Sequence, residues 1–403
     1  MRIKDVAVMN ALTLPETTSG EYSFRYIDIG SVSEDGKVTL DEPIRFDEAP
    51  SRARRVVKRN DVLISTVRTY LKAIAPVDFD ATDLVASTGF AVCTPTKGTH
   101  PRYLAYAVRS DGVIDEICKE SCGISYPAIN STKLAGIEIT YCDAELQRQI
   151  VAYLDEKFTV IDRKVALLEQ KRTAYAKLKR ALINETVTRG LDKNAELDNS
   201  GNDRLEVVSN NGRVRRLKDC VLLRNVKTDD QREPYIALEN IKSWDASFIQ
   251  TEVETEGTNN RCKAGDILFG KLRPYLAKGY IPDNDAICST EFLVMTAKPQ
   301  FHNRFILYFL LSNSVIDYLA HQVAGVKMPR TNWVTVAALE MPRIAGRTTF
   351  LNFSEQRRIA DYLDRKCAAI DAAVENVTRQ IELYRKLKRS LIDEVVTGRR
   401  KVA

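Results

Sequence analysis

Two stretches of this chain carry the same kinds of groups able to bond nucleobase edges or phosphates, at matching places. Arg68, Tyr70 and Lys72 follow the apolar run Asp61-Val62-Leu63-Ile64, and Lys271, Arg273 and Tyr275 follow Asp266-Ile267-Leu268-Phe269. An arginine fork matches the O6 and N7 acceptors of guanine, and lysine supplies a point charge for phosphate. A loop leaving a strand can present both. The other reading is two half-buried packing tyrosines with solvated cations; it stands level for the cations and is preferred for Tyr70 and Tyr275. A second matched pair is punctuated by glycine and proline. Gly123-Ile124-Ser125-Tyr126-Pro127 precedes Asn130, and Gly325-Val326-Lys327-Met328-Pro329-Arg330 precedes Asn332. Asparagine can pair bidentately with adenine, or it can cap a turn. Groove readout is preferred because the polar identities differ between otherwise matched segments: Ser125 and Tyr126 in one, Lys327 and Arg330 in the other. The densest basic tract, Arg52 to Arg59, reads as a solvated face ahead of a phosphate contact. Trp244 and Trp333 read as packing residues.

Catalytic groupings are absent from the sequence. It contains no Gly-x-Gly-x-x-Gly and no phosphate-binding Gly-x-x-x-x-Gly-Lys. The strings nearest to a methyltransferase Asn/Asp-Pro-Pro-Tyr/Phe loop are Arg232-Glu233-Pro234-Tyr235 and Arg273-Pro274-Tyr275. Both lack the second proline and the Asn or Asp. Asp155-Glu156-Lys157 lacks nuclease spacing and reads as surface charge. Eight cysteines without a CxxC pair, and three histidines without HxxxH, argue against zinc and for reduced thiols in the core.

The elements that must carry these loops are written twice. Gln147-Arg148 returns 209 residues later at Gln356-Arg357, and the match runs without a gap for 42 residues, 20 of them identical. Identical pairs include Tyr153/Tyr362, Asp155/Asp364, Asp162/Asp371 and Tyr175/Tyr384. The tract Lys177-Leu178-Lys179-Arg180 matches Lys386-Leu387-Lys388-Arg389. Apolar residues at spacings of three, four and seven (Ile150, Leu154, Phe158, Ile161, Val165, Leu168, Tyr175, Leu178, Leu182) predict one long helix. Ile359, Leu363, Ile370, Val374, Val377, Ile381, Tyr384, Leu387, Leu391 and Val395 predict its copy. Mutual burial as an antiparallel coiled coil covers both stripes; packing of each helix on its own globular neighbour is the alternative. Such a rod is about 60–65 Å long.

Each helix follows a block of strands and short helices. The predicted order is a globular domain at 1–144, a helical repeat at 145–190, a polar linker at 191–213, a second globular domain at 214–350 and a second helical repeat at 351–403. The globular heads echo each other at Arg2-Ile3-Lys4-Asp5/Arg216-Leu217-Lys218-Asp219 and Ser87-Thr88-Gly89-Phe90/Ser289-Thr290-Glu291-Phe292. The predicted class is α+β with a pseudo-two-fold internal repeat. One scaffold with two sets of polar tips implies two different things read.

Of the net +6, residues 145–190 carry +4 and 354–400 carry +3, so the heads are nearly neutral. Charge alone does not establish nucleic-acid binding. The helix cations Lys171, Arg172, Lys177, Lys179 and Arg180 suit DNA, a partner or plain solvent. No apolar run is long enough for a bilayer, and a cytoplasmic protein is the expectation.

The chain resembles the specificity subunit of a type I restriction–modification system. The resemblance rests on KLKRALINETVTRG/KLKRSLIDEVVTG, QRQIVAYLD/QRRIADYLD and DVLISTVR/DILFGKLRP in alternating order, and it covers essentially the whole length. It implies a non-catalytic DNA-binding subunit with two target-recognition domains, each reading half of a gapped, asymmetric site, and a coiled coil that fixes the gap. The implied partners are duplex DNA, two methyltransferase subunits on the helical region, and nuclease–translocase subunits. S-adenosylmethionine and ATP belong to those partners; the chain itself needs no cofactor. A coiled-coil adaptor with protein-binding heads, or the reader half of a fused methyltransferase or nuclease, is the competing reading.

Overall fold

A computed structural model describes residues 1–403 apart from 80–81, 124–126, 192–214, 230–231, 252, 254–256, 323–327, 342–349 and 403. The expected linker 191–213 therefore lies outside the described residues except for Leu191. The chain is a mixed α+β protein with two compact units. One comprises Met1–Glu169 and Arg379–Ala403; the other is Gln170–Thr378.

The first unit is built on two four-stranded sheets. One is antiparallel, with Ala7–Met9, Phe90–Pro95, Val62–Ser65 and Ile74–Pro76 in spatial order. All four residues of Val62–Ser65 are buried, as expected for a central strand lying under a helix. The second sheet runs Ile44–Arg45, Ser23–Ile27, Leu84–Ser87, Ala53–Val57, with a parallel pair in its middle. Helix Pro101–Val108 starts on proline, whose missing N–H costs nothing at a first helical position. The basic tract 52–59 is not a simple solvated face. It forms strand Ala53–Val57, where Arg54 and Arg55 are half-buried and the Arg54 guanidinium lies 4.8 Å from the Phe46 ring centre.

The second unit repeats this plan. Val221–Arg224, Phe292–Ala297, Ile267–Gly270 and Gly279–Tyr280 form the antiparallel sheet, in the same order. Tyr235–Ile236 again pairs in parallel with Ala286–Cys288, which is flanked by Asn259–Cys262. The copies differ at one edge strand: Ile44–Arg45 extends one end of the first unit's sheet, while Lys227–Thr228 pairs with Asn259–Cys262 in the second.

The two long helices are Ala144–Arg189 and Phe353–Val396. Asp143 opens the first by accepting the Leu146 amide (2.9 Å), and Asn352 opens the second by accepting the Glu355 amide (3.0 Å). Gly190 and Gly398, both at positive φ, close them. Each contributes to both units, so each unit holds the start of one helix and the end of the other. In the first unit Val151, Leu154, Phe158 and Ile161 share one apolar core with Leu104, Ile114, Leu391, Ile392 and Val395. In the second, Ile183 and Val187 join Phe305, Ile306, Ile359, Leu363 and Cys367. Tyr153, Val165, Leu182 and Tyr362 are half-buried against these cores, and Ile370 and Val374 are half-buried as well.

The identical residues of the repeat make the same bonds in both units. Gln147 accepts the His100 amide (2.8 Å) and donates to the Cys142 carbonyl (2.8 Å); Gln356 accepts the His302 amide (2.9 Å) and donates to Leu351 (2.9 Å). Tyr106 donates to Asp155, and Tyr308 to Asp364, both at 2.6 Å. Between helices the pairing is reciprocal. Lys388 of the second helix meets Asp162 of the first at 2.7 Å, and Lys179 of the first meets Asp371 of the second at 2.7 Å. At the helix ends, Asp393 accepts the Asp111 amide and Asn184 accepts the Ser314 amide, each 3.2 Å, at the start of a head helix.

One part of the expected stripe is wrong. Leu178 and Leu387 are 52% and 43% exposed, while their neighbours Lys179 and Lys388 are buried with side chains 8% and 7% exposed. The last turns of each helix pack on a head as well as on a helix, and the head brings carboxylates. Asp245 bonds Lys179, Arg180 lies over the Trp244 ring at 4.1 Å, and Arg389 pairs with Glu34 at 3.2 Å. Lys179 is thus committed to contacts inside the second unit, while Arg180, laid over Trp244, stays exposed.

Candidate functional site

In each head, the strand Val62–Ser65 or Ile267–Gly270 runs into a tight turn that a left-handed arginine initiates. Arg68 (φ +51°) opens the 3-10 turn Thr69–Leu71, and Arg273 (φ +50°) opens Pro274–Leu276. A non-glycine residue in this region stores strain of order 1–2 kcal/mol, which the surroundings must hold. Buried Thr69 and Pro274 anchor the turns. The result corrects the expectation for the tyrosines: Tyr70 and Tyr275 are exposed, because the turn lifts them off the sheet. Arg68 and Arg273 are exposed too, and Lys72 is half-buried.

The glycine/proline segments dock beside these turns. The Arg68 amide donates to the Pro127 carbonyl and the Arg273 amide to Pro329, both at 2.8 Å. Ile129 and Thr331 donate back to Thr66 and Lys271 at 2.8 and 2.9 Å. The structure therefore brings the two predicted stretches of each head together into one tip. Ser125, Tyr126 and Lys327 lie outside the described residues.

The asparagines are spent on the backbone. Asn130 Oδ1 accepts the Lys133 amide (2.8 Å) and opens helix Ser131–Gly136; Asn332 Oδ1 accepts the Thr335 amide (3.0 Å) and opens Trp333–Ala337. The turn-capping reading holds for both, and both side chains stay exposed. Asn130→Ala is expected to cost about 1 kcal/mol, as loss of a helix N-cap does, measured by thermal unfolding.

The tips share a backbone and differ in charge. At the second, Lys271, Glu291 and Arg330 meet: Arg330 Nε donates to Glu291 Oε2 at 3.0 Å, and a terminal guanidinium nitrogen reaches the other carboxylate oxygen. Lys227 approaches through Asn260, donating to its side-chain oxygen at 2.7 Å. Burial lowers the Lys271 pKa against the pull of Glu291, helped by the nearby positive charges of Arg330 and Lys227. The matching positions in the first head are Thr66, Gly89 and Ala128, none of them charged. Sequence reasoning singled out Lys271 and Arg330 but missed Glu291. Its signal was the Gly/Glu difference within Ser-Thr-x-Phe.

No family model matches the chain. It is 21% identical over 309 residues to the type I restriction enzyme EcoDI specificity subunit of Escherichia coli, a match covering 71% of this chain and 68% of that protein. Its fold follows a solved chain described for complex assembly and conformational transition of the type I R-M system, with TM-score 0.71, 19% identity, and 98% and 96% of the two chains covered. The chain resembles a type I specificity subunit. The HsdS subunit from Thermoanaerobacter tengcongensis is 20% identical at TM-score 0.48, with 99% and 96% covered. All eight cysteines are free, and burial pushes Cys93 and Cys220 up to about 12. Cys118 and Cys122 depart from the expected core placement and are exposed. Among the described residues no group of His, Cys, Asp or Glu could hold a metal ion, and no helix is long and apolar enough to cross a membrane.

Proposed function

We propose that this chain is the non-catalytic DNA-recognition subunit of a type I restriction–modification complex. Heads 1–144 and 214–350 each read one half of an asymmetric, gapped site, and the helical repeats 145–190 and 351–403 form an antiparallel coiled coil that sets the gap. Two methyltransferase subunits dock on the helical region and nuclease–translocase subunits join them. Those partners supply the S-adenosylmethionine and ATP chemistry, and the complex works on DNA and not at a membrane. The observation that carries the reading is the tip built twice on one backbone with unlike polar groups: Thr66, Gly89 and Ala128 against Lys271, Glu291 and Arg330. A duplicated scaffold with unlike tips suits two unlike half-sites. The reciprocal pairs Asp162–Lys388 and Asp371–Lys179 support the antiparallel arrangement. Major grooves recur every 34–36 Å or so along one face of the duplex, within the reach of a helical rod of about 65 Å.

The test is to express the chain with a methyltransferase partner and map methylated motifs by sequencing. A two-part asymmetric motif is expected, and exchanging residues 1–144 for another head should change one half alone. Change in both halves contradicts the modular reading. Binding of the complex to DNA should also fall steeply with salt, because phosphate contacts release counterions. Salt-insensitive or absent DNA binding would favour the protein-binding adaptor.

A further inference from the structure

We infer that Glu291 and Arg330, with Lys271 beside them, form the specificity-determining cluster of the second head and select a G·C pair in its half-site. The inference rests on the DNA-reading function proposed above. Its basis is how the cluster is assembled and how the other head lacks it.

Three separate segments deliver the side chains, and their backbones are bonded to one another. The Lys271 amide donates to the Glu291 carbonyl at 2.8 Å, the Thr331 amide donates to the Lys271 carbonyl at 2.9 Å, and Leu272 bridges Arg330. The relative positions are therefore set by the main chain before any side chain is considered. Glu291 is three-quarters buried and takes the Arg330 fork on both oxygens, while more than half of the Arg330 side chain faces solvent. A guanidinium held along one edge by a carboxylate keeps N–H groups on its other edges, now fixed in direction. Fixing the donor in advance removes ordering cost from binding.

The chemistry of such a tip matches one base pair. Guanine presents O6 and N7 as acceptors in the major groove, and its partner cytosine presents the N4 amino donor. Arg330 and Lys271 supply donors for O6 and N7, whereas adenine puts an N6 amino donor where guanine has O6 and thymine offers O4 beside a methyl group. The first head follows the same backbone course, with the Thr66 amide bonded to the Gly89 carbonyl at 2.8 Å, but has no charge there. A side chain could not simply be added, since a Cβ on Gly89 would come within 2.9 Å of Val67 Cγ2. The two tips thus differ by construction. Glu291 acts as a positioning residue, and Arg330 and Lys271 as the reading groups.

The experiment uses the full chain with its methyltransferase partner and reads the methylated motif genome-wide for wild type, Glu291→Gln, Arg330→Lys and Arg330→Ala. Arg330→Ala should relax one G·C position of the second half-site by roughly 5- to 150-fold in discrimination, the value of one bidentate contact. Arg330→Lys keeps the charge and loses the fork, so it should relax the same position. Glu291→Gln should do so more weakly, with thermal midpoint and the first half-site unchanged. An unchanged motif in all three variants overturns the assignment, as does relaxation spread over the entire second half-site, which would mark a merely structural role. Failure of the underlying function would look different: the wild-type complex itself would mark no two-part motif, and the assignment would fall with it.

Discussion

Lys179→Ala is expected to lower stability by about 1.5–3 kcal/mol in denaturant titration, while Leu178→Ala, one residue away, stays within about 0.5 kcal/mol. Lys179 sits between two carboxylates, bonding Asp245 and, at 2.7 Å, Asp371. Most of the penalty comes from Asp245, whose side chain is only 8% exposed. Removing the ammonium leaves that charge buried with Lys242 as its remaining bonded cation. Asp371 is open enough to water that losing its partner costs little by comparison. Leu178 is already 52% exposed, so truncating it removes little burial. Equal costs for the two substitutions, or a larger one at Leu178, would mean that the helix end is rotated from the arrangement described.

The same cluster gives a pH dependence. Burial opposes charge on Asp245, but hydrogen bonds and attraction from Lys179 and Lys242 outweigh it and hold the carboxyl at about 2. A depressed carboxylate contributes its full stability above its unfolded value of 3.8 and loses it as pH falls toward 2. Asp371 works the other way. Burial and the Asp245 charge raise its pKa despite Lys179, so it takes up a proton first and relieves the crowding. Lys179 is raised: burial is overcome by the two carboxylates, and its contribution is lost only at alkaline pH. Asp245→Asn should therefore flatten the acid limb of the stability curve.

Much of the framework was legible in the sequence because periodicity and duplication report on helices directly. The expected helix at 145–190 is Ala144–Arg189, and the second begins at Phe353. The strand-then-arginine motif gave the turn at each tip. What failed was side-chain orientation wherever a third element intervenes. A stripe through Tyr175, Leu178 and Leu182 continues the helix-facing side in sequence. The buried residues near the helix end are instead Lys179, Ile183, Thr186 and Val187, because the carboxylate of a head residue 66 positions away repays the burial of an ammonium. Nothing local announces that partner. The capping role of the asparagines was ambiguous for a related reason: a side chain two or three residues before an apolar turn reads equally as a cap or as a free amide. Tyr70 and Tyr275 depend on a left-handed residue that is not glycine, which sequence pattern gives no reason to expect. Glu291 was visible only as a mismatch between copies, and its meaning needed Arg330 in space.

The central proposal is that the paired helices act as a ruler between two reading heads, and the second large effect follows from lengthening that ruler. Four residues of helix-forming sequence would be inserted between Lys171 and Arg172 and, in the same chain, between Gln380 and Ile381. These points leave Asp162 with Lys388 on one side and Lys179 with Asp371 on the other, so both cross-helix ion pairs survive. Each helix gains about 6 Å, close to two base pairs at the 3.4 Å rise of a DNA strand. Sequencing of methylated sites in cells carrying the lengthened chain and its methyltransferase partner should return both half-sites unaltered, separated by a spacer one or two base pairs wider. The same half-sites with the original spacer would contradict the ruler.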